Sequence, residues 1–368
     1  MLRVADKLWG GARHLHGDPK AETHQEAVYI PFDKTEYIAD DQAWGVFAAD
    51  GLPIEAAIYR RGDPAQRVSG GRAFDGSSLD RADPEFNYVY LGPSMQHYGH
   101  FITATMARCW YPFRHSPKRT KYVIHSEDEI DRLFSYSYAA TCFQRLGLRR
   151  DNVVRFVNPT RIGHLIVPQP AFEEQHFERD VFRDMCRYIG APFKADKRSS
   201  QPIYLSKQKL PSGVGKFINE DILVHHLELE GFLVVYPELL PLSQQIELFN
   251  KYAYVVGSGS GLHTSVFCAT PPELYSLSIS EVVNSNFALI DSVAKTTTVH
   301  LLPEAGTRWH HYPAHVATFI NFMRAPENSP ARAMGDDISG FTTAAEIIEP
   351  SQFASDIASL LRSRGAFA

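Results

Sequence analysis

The sequence predicts an α/β protein whose clearest part is half of a doubly wound sheet, residues 202–277. Three short apolar runs there are rich in Val, Tyr, Phe and Leu, and two segments of helical spacing lie between them. Such alternation is typical of parallel strands joined by crossover helices. Residues 111–195 repeat the alternation, and a charged, Ser-rich segment, residues 193–201, separates the two stretches. We therefore expect two Rossmann-like halves with a boundary at that segment.

Two helices are predicted within residues 202–277. The first has Asn219 as its N-cap and Gly231 as its left-handed stop, and its apolar stripe includes Ile222. The second has Ser243 as its N-cap. Both carry the ordinary signals of crossover helices.

A Gly/Ser loop follows the last strand of this stretch. Gly257, Gly259 and Gly261 alternate with serines, and a helix is predicted from there through Phe267. Glycines let backbone N–H groups turn toward a ligand, and a helix N-terminus favours anions. The spacing matches neither the dinucleotide nor the Walker pattern, so nicotinamide cofactors and ATP hydrolysis are not indicated. Taken alone, the loop is equally consistent with a tight turn and with a phosphate cradle.

A second motif follows another predicted strand, near residue 90. There the chain continues through His97, Tyr98 and His100 into a helix predicted to run through Trp110.

These motifs, taken in order, resemble glycosyltransferase family 61. In the C-terminal half the resemblance is carried by Tyr204-Leu205-Ser206-Lys207, Lys216, Asn219-Glu220, Gly231-Phe232, Pro237-Glu238, Gln245 and Gly259-Ser260-Gly261-Leu262-His263. Bacterial members of the family serve surface polysaccharide synthesis, and eukaryotic members transfer sugars from UDP donors. The resemblance implies a GT-B fold, with two Rossmann-like domains facing a cleft, and an inverting, metal-independent transfer.

The N-terminal motif resembles a second family string, with one departure. The matching residues are Tyr98, His100, Phe101, Ile102 and Arg108. Ala104 stands where the family has an acid. The resemblance places Tyr98 and Arg108 at the acceptor or the cleft, and Ala104 puts the usual acidic partner in doubt.

Inverting transfer needs a general base for the acceptor hydroxyl, and histidine suits that task near neutral pH. His100 is the candidate base and His97 the reserve. Alternatively His100 caps its helix or packs under the loop. If the base is a carboxylate, the sequence offers Asp80, Asp83 and Glu85 nearby and does not choose among them.

A metal-free transfer also needs cations and N–H donors for the leaving diphosphate. By the resemblance, the donor-binding residues are Lys207, Lys216, Asn219, Glu238, Gln245, Gly259, Ser260, Gly261, Leu262 and His263. Both lysines stand where the family commonly has Arg, and either could instead be a solvated surface charge. Glu238 could instead cap a helix, and Gln245 could simply anchor its loop.

Composition limits the remaining functions. A net charge of -5 and the absence of a basic block argue against a nucleic-acid partner. Four separated cysteines without a Cys-x-x-Cys pair are expected to be buried thiols, which favours a cytoplasmic compartment. Residues 1–17 lack an apolar signal segment, and no apolar run reaches membrane-spanning length, so at most peripheral membrane contact is expected. His14 and His16 lack a third ligand at metal spacing, so no metal site is predicted.

The sequence therefore predicts three parts: an acceptor-side domain (residues 1–195), a nucleotide-sugar domain (196–345) and a terminal helix crossing the cleft (346–368). The predicted function is transfer of a sugar, without a cofactor, from a UDP-type donor to a saccharide or lipid-linked saccharide acceptor. A homodimer is left open. The alternative, motivated by Ala104, is an inactive homologue that binds saccharide or serves as a scaffold in a polysaccharide assembly complex. A sugar-nucleotide epimerase or hydrolase is disfavoured because its extra acid and base pair is not evident.

Overall fold

The computed structural model describes residues 2–32, 44–70, 79–210, 217–313 and 341–367. The strands of these segments are β1 (Leu2–Val4), β2 (Lys7–Trp9), β3 (Arg13–Leu15), β4 (Ala21–Ile30), β5 (Gly45–Phe47), β6 (Arg60–Arg61), β7 (Gln66–Arg67), β8 (Asp80–Arg81), β9 (Asn87–Ser94), β10 (Thr120–Ser126), β11 (Val153–Val154), β12 (Thr160–Pro168), β13 (Phe172–Glu173), β14 (Phe177–Arg179), β15 (Ile203–Leu205), β16 (Leu233–Val235), β17 (Tyr254–Gly257), β18 (Glu273–Leu277), β19 (Val282–Asn284), β20 (Thr298–Pro303), β21 (Thr307–Pro313) and β22 (Phe341–Ile347). The α-helices of the same segments are α1 (Tyr98–Thr103), α2 (Trp110–Arg114), α3 (Ile130–Leu133), α4 (Ser137–Arg145), α5 (Asp180–Gly190), α6 (Glu220–Leu229), α7 (Leu242–Lys251), α8 (Asn286–Ala294) and α9 (Pro350–Ser363).

The chain forms two compact units. The C-terminal unit comprises Met1–Leu8, Gly190–Val283 and Ala294–Ala368, and the N-terminal unit comprises Trp9–Ile189 and Asn284–Val293. The predicted boundary after residue 195 lies close to the change of unit at Gly190. The sequence did not predict that residues 2–8 join the C-terminal unit, which they do because β1 pairs antiparallel with β20.

The C-terminal unit contains the predicted parallel sheet. Its strand order is β1-β20-β18-β17-β15-β16, and every neighbouring pair except β1–β20 is parallel. Numbered from β15, the parallel strands follow the order 2-1-3-4-5, which is that of a doubly wound sheet. The chain reverses direction across the sheet between β15 and β17. Ligands of such sheets bind beyond the carboxyl ends of the strands at this switch point.

The core on one side of this sheet is formed by α6 and α9. Leu223, Leu227, Phe353 and Ile357 are buried there in one apolar cluster. Ile222, predicted to be in the apolar stripe, is instead 45% exposed. The terminal helix thus packs within the C-terminal unit, and its crossing of a cleft stays a prediction.

Three helix ends in this unit were predicted, with different outcomes. Asn219 is the N-cap residue of α6, as predicted, but it makes no capping hydrogen bond because its side chain bonds to β22. The N-cap of α7 is Pro241 instead of Ser243. The helix predicted to run through Phe267 is present as a 3-10 helix, Gly259–Phe267.

The N-terminal unit has a mixed sheet of order β11-β10-β9-β12-β4-β5. β9 lies between two parallel neighbours, β10 and β12, and β4 runs antiparallel to β12. The chain leaves β9 toward β10 and later returns to its other side as β12. The carboxyl ends of β9 and β12 therefore flank the switch point of this sheet.

The four cysteines are free and buried, as predicted. In the part of the chain that the structure describes, no helix has both the length and the hydropathy needed to cross a membrane.

Candidate active site

His100 lies at the carboxyl end of β9. It occupies the first helix after that strand, α1, and 30% of its side chain is exposed. Its Nδ1 atom is 2.7 Å from Oε1 of Glu174. The ring is therefore oriented by a carboxylate while part of it reaches the surface.

Glu174 comes from the corresponding end of the neighbouring strand. It lies in the turn between β13 and β14, shortly after β12, and its side chain is 1% exposed. Because β9 and β12 are parallel neighbours, residues that follow each strand meet at one edge of the sheet. The fold thus brings together two residues that are 74 positions apart in sequence.

The Glu174 carboxylate is surrounded by hydrogen-bond donors. Thr103 Oγ1 donates to Oε1 over 2.6 Å, Tyr59 OH donates to Oε2 over 2.5 Å, and Asn286 Nδ2 is 3.4 Å from Oε1. Burial alone would raise the pKa of this carboxyl, but the charge and hydrogen bond of His100 and the two hydroxyl donors outweigh burial and hold the pKa at about 2. Glu174 is therefore a carboxylate at any physiological pH.

A buried carboxylate lies in this region although Ala104 stands at the acidic position of the sequence motif. Ala104 is 3% exposed and belongs to a small buried cluster with Trp44 and Tyr59. The hydroxyl of Tyr59 bonds to Glu174. The carboxylate of this region thus comes from the β13–β14 turn instead of from α1.

Ionisation of Glu174 gives a testable dependence of stability on pH. Its folded-state pKa of about 2 is below the ordinary 4.5, so the carboxylate stabilises the fold above pH 4.5 and loses that effect as pH falls toward 2. Between pH 5 and pH 3 the free energy of unfolding should fall in both proteins. The fall should be about 2 kcal/mol smaller in Glu174→Gln than in the wild type. Urea unfolding at a series of pH values measures this.

Glu85→Gln is the matched control, because Glu85 is an exposed carboxylate in the same unit. It should follow the wild-type pH dependence. Equal pH dependence in the wild type and Glu174→Gln would contradict the ion pair.

The three alternative carboxylates lie elsewhere. Asp80 begins β8, which pairs with the amino end of β12, and Asp83 and Glu85 precede β9. They are thus at the end of the sheet opposite to His100. The structure brings none of the three next to the histidine.

Partly exposed aromatic rings lie beside His100. The His97 and His100 ring centroids are 5.3 Å apart. Tyr98 meets Tyr138 edge to face at 5.5 Å, and Tyr136 stacks on Tyr138 with an interplanar angle of 7°. Tyr98, predicted at the acceptor, thus belongs to an aromatic surface that also includes residues of α4 and its N-cap.

Arg108 is buried and bonds to the backbone of the N-terminal unit. It is 2% exposed, and its guanidinium donates to the backbone oxygens of Pro168, Ala56 and Ile58 at 3.0, 2.7 and 3.2 Å. Gly92, with φ of +94°, makes room for it, since a Cβ there would lie 2.9 Å from Nη1. Arg108 therefore links the backbone at Ala56 and Ile58 to the end of β12. A direct contact of Arg108 with the acceptor stays a prediction.

In the C-terminal unit, Lys207 and the Gly/Ser loop meet at the switch point. β15 and β17 are parallel with Leu205 opposite Gly257, so Lys207 and Gly259 follow neighbouring strand ends. A Cβ on Gly259 would lie only 2.7 Å from Lys207 Nζ. The structure thus juxtaposes a cation and a glycine loop where doubly wound sheets bind ligands.

Gly259 is the glycine of this loop that the backbone requires. Its φ is +66°, a left-handed value that costs other residues about 1–2 kcal/mol. We expect Gly259→Ala to lower the free energy of unfolding by about that amount and to displace the Lys207 ammonium. Gly261→Ala is the control: a Cβ there meets nothing within 4 Å, so stability should change by less than about 0.5 kcal/mol. Equal losses in the two variants in urea unfolding would contradict this role of Gly259.

Other predicted donor residues have structural contacts. Gln245 Nε2 donates to the carbonyls of Pro237 and Leu240 at 2.9 and 3.0 Å, so it anchors the loop that carries Glu238. Asn219 exchanges two hydrogen bonds with the backbone of Ile347.

All the remaining predicted donor-binding residues except Lys216 belong to the Gly/Ser loop. Ser260 is half-buried in the 3-10 helix that the loop forms, and Leu262 and His263 are buried in it, at 1% and 4% exposure. Lys216 lies outside the described residues.

The described residues also contain a group that could hold a metal. Donor atoms of His14, His16 and Asp180 lie within 4.8 Å of one another. The sequence did not predict this group because its carboxylate is remote in the chain. All three residues belong to the N-terminal unit.

Comparison with known proteins gives one family. The model described as Glycosyltransferase 61 matches residues 98–273. The match begins at the His100 motif and extends past the Gly/Ser loop, so it includes both motifs that carry the resemblance. It supports glycosyltransferase family 61 and a glycosyltransferase activity. No curated protein matches the chain.

Proposed function

We propose that this protein, which matches glycosyltransferase family 61 over residues 98–273, is an inverting, metal-independent transferase. It moves a sugar from a nucleoside diphosphate, most simply UDP, to a saccharide acceptor in the synthesis of capsule, exopolysaccharide or lipopolysaccharide. The single observation that supports the chemistry best is the contact of 2.7 Å between His100 and Glu174 at a strand-end switch point. A GT-B fold is part of this proposal.

In the proposed reaction His100 is the general base. Nε2 takes the proton of the acceptor hydroxyl as its oxygen forms a bond to the anomeric carbon. The bond from that carbon to the diphosphate oxygen breaks on the opposite face, and its electron pair leaves with the diphosphate. Glu174 holds Nδ1–H, which fixes the tautomer and stabilises the imidazolium that forms. The inversion follows from attack opposite the leaving group.

The leaving diphosphate is the proposed ligand of the C-terminal unit. Lys207 offers a positive charge, and the N–H groups of the loop from Gly259 to Gly261 offer hydrogen bonds, at a switch point suited to anions. Lys216 is proposed as a second cation. Glu238, in the segment that follows β16, is proposed to accept hydrogen bonds from the ribose.

The acceptor is proposed to lie on the aromatic surface of Tyr98, Tyr136 and Tyr138. Sugar rings stack on tyrosine through their apolar faces while hydroxyls remain hydrogen-bonded. The nearby His97 would contact the same acceptor. We propose a cytoplasmic enzyme with at most peripheral membrane contact, which allows a lipid-linked saccharide as acceptor.

A panel of nucleotides and nucleotide sugars tests this function. A ligand that binds only the folded protein raises its melting temperature. We expect a selective rise with UDP or one UDP-sugar, of the same size with and without EDTA. A rise that requires a divalent cation would contradict metal-independent binding, and no rise with any nucleotide would contradict the transferase.

The alternative is a noncatalytic saccharide-binding or scaffold protein. Ala104 motivates it, since an inactive homologue would have lost the family acid. Glu174 weakens this argument, because its carboxylate, from the β13–β14 turn, is a hydrogen-bond partner of His100. Glycan binding without any nucleotide response would favour this alternative.

A further inference from the structure

Four side chains with metal-binding chemistry lie together at the carboxyl end of the strand pair β3–β14. The two strands are parallel, with His14 opposite Glu178. His16 and Asp180 directly follow the two strands, and their donor atoms lie within 4.8 Å of a donor atom of His14. His14 Nδ1 contacts Glu178 Oε1 at 2.6 Å. The other nitrogen of that ring, Nε2, faces His16 and Asp180.

The spacing of the three outer donor atoms fits a tetrahedral ion. His14 Nε2 is 3.2 Å from His16 Nδ1 and 3.4 Å from Asp180 Oδ2, and the last two atoms are 3.9 Å apart. Zinc bonds of ~2.0–2.1 Å in tetrahedral geometry place neighbouring ligand atoms about 3.3 Å apart. Two imidazoles and one carboxylate are also a donor set that suits zinc.

Two further residues orient the donor side chains: Glu178 bonds to His14, and Arg183 bonds to Asp180. Glu178 is buried, with 1% of its side chain exposed, and its Oε1 also accepts a hydrogen bond of 2.6 Å from Ser292 Oγ. A carboxylate that holds the far nitrogen of a histidine is the usual outer partner of a metal ligand. Arg183 binds the other oxygen of Asp180 at 2.6 Å and so turns Oδ2 toward the histidines.

We propose that His14, His16 and Asp180 bind one Zn²⁺ ion, with water at the fourth position and Glu178 as the outer partner of His14. The ion would tie β3 to the end of β14 and the start of α5. β14 is one strand of the hairpin whose turn carries Glu174. The site is independent of the proposed transfer, which uses no metal at the diphosphate.

Metal binding to untagged, EDTA-stripped protein tests the site. We expect one tight Zn²⁺ per chain by calorimetry, and substitution with Co²⁺ should give the visible absorption of a tetrahedral complex. His16→Ala and Asp180→Asn should each weaken Zn²⁺ binding at least tenfold and abolish that absorption. Zn²⁺ should also raise the melting temperature of the wild type and not of these variants.

His16 is 88% exposed, so its removal should leave the fold intact. His225→Ala, which removes an exposed histidine in the C-terminal unit, is the matched control and should bind Zn²⁺ like the wild type. Absence of a tight Zn²⁺ in the wild type, or wild-type affinity in either ligand variant, would overturn the site.

Discussion

His100→Gln should lower kcat by about 10³ while leaving the affinity for the donor nucleotide unchanged. General-base catalysis contributes about 10²–10⁴ to rate, and glutamine cannot take the proton. The substitution retains an N–H that can reach Glu174, so the buried carboxylate keeps a partner and the fold should persist. Initial rates of nucleoside diphosphate release, at saturating donor and acceptor, measure the effect.

His97→Gln is the matched control for this substitution. His97 is exposed, neighbours His100 at a ring distance of 5.3 Å and precedes α1. Its loss should raise the KM for acceptor without a large fall in kcat. The reverse pattern, with His97→Gln inactive and His100→Gln active, would move the base to His97.

Lys207→Ala should weaken donor binding by about 10- to 100-fold. A charge-assisted contact to a diphosphate is worth about 1.5–3 kcal/mol, and one factor of ten is about 1.4 kcal/mol. The ammonium lies against Gly259, so its removal takes the cation from the switch point. Calorimetry with UDP measures the loss.

Lys209→Ala provides the control, because Lys209 is exposed and only two residues away. Lys207→Arg should recover part of the affinity, since it restores the charge. Lys216→Ala should show a similar loss, as the family resemblance implies. If Lys207→Ala binds UDP like Lys209→Ala, the diphosphate does not bind at this switch point.

The sequence predicted which motifs follow strands, but it did not predict which strands lie side by side in the sheet. It placed His100 and the Gly/Ser loop after strands, because alternating apolar runs are a local signal. It did not predict Glu174, although Glu173 and Glu174 also follow a predicted strand. The missing information was that β12 returns beside β9, which depends on pairing across the whole sheet.

Hydrogen bonds to residues distant in sequence explain why the side chain of Asn219 does not cap α6. Asn219 has the right type for an N-cap, yet the backbone of Ile347, more than a hundred residues on, takes both of its side-chain hydrogen bonds. Asp180 is likewise more than a hundred residues from His14 and His16, so the sequence did not associate it with the histidine pair. Contacts of this kind require tertiary structure.

The central claim is that His100 and Glu174 act as one unit in sugar transfer. Its most direct test is kcat for the wild type, His100→Gln, Glu174→Gln and the double variant, with the donor that the nucleotide panel identifies. Residues that act as a unit lose rate together, so each single variant should fall by about 10²–10³ and the double variant should be no slower than the worse single. Wild-type kcat in both single variants, or losses that multiply in the double variant, would contradict the claim.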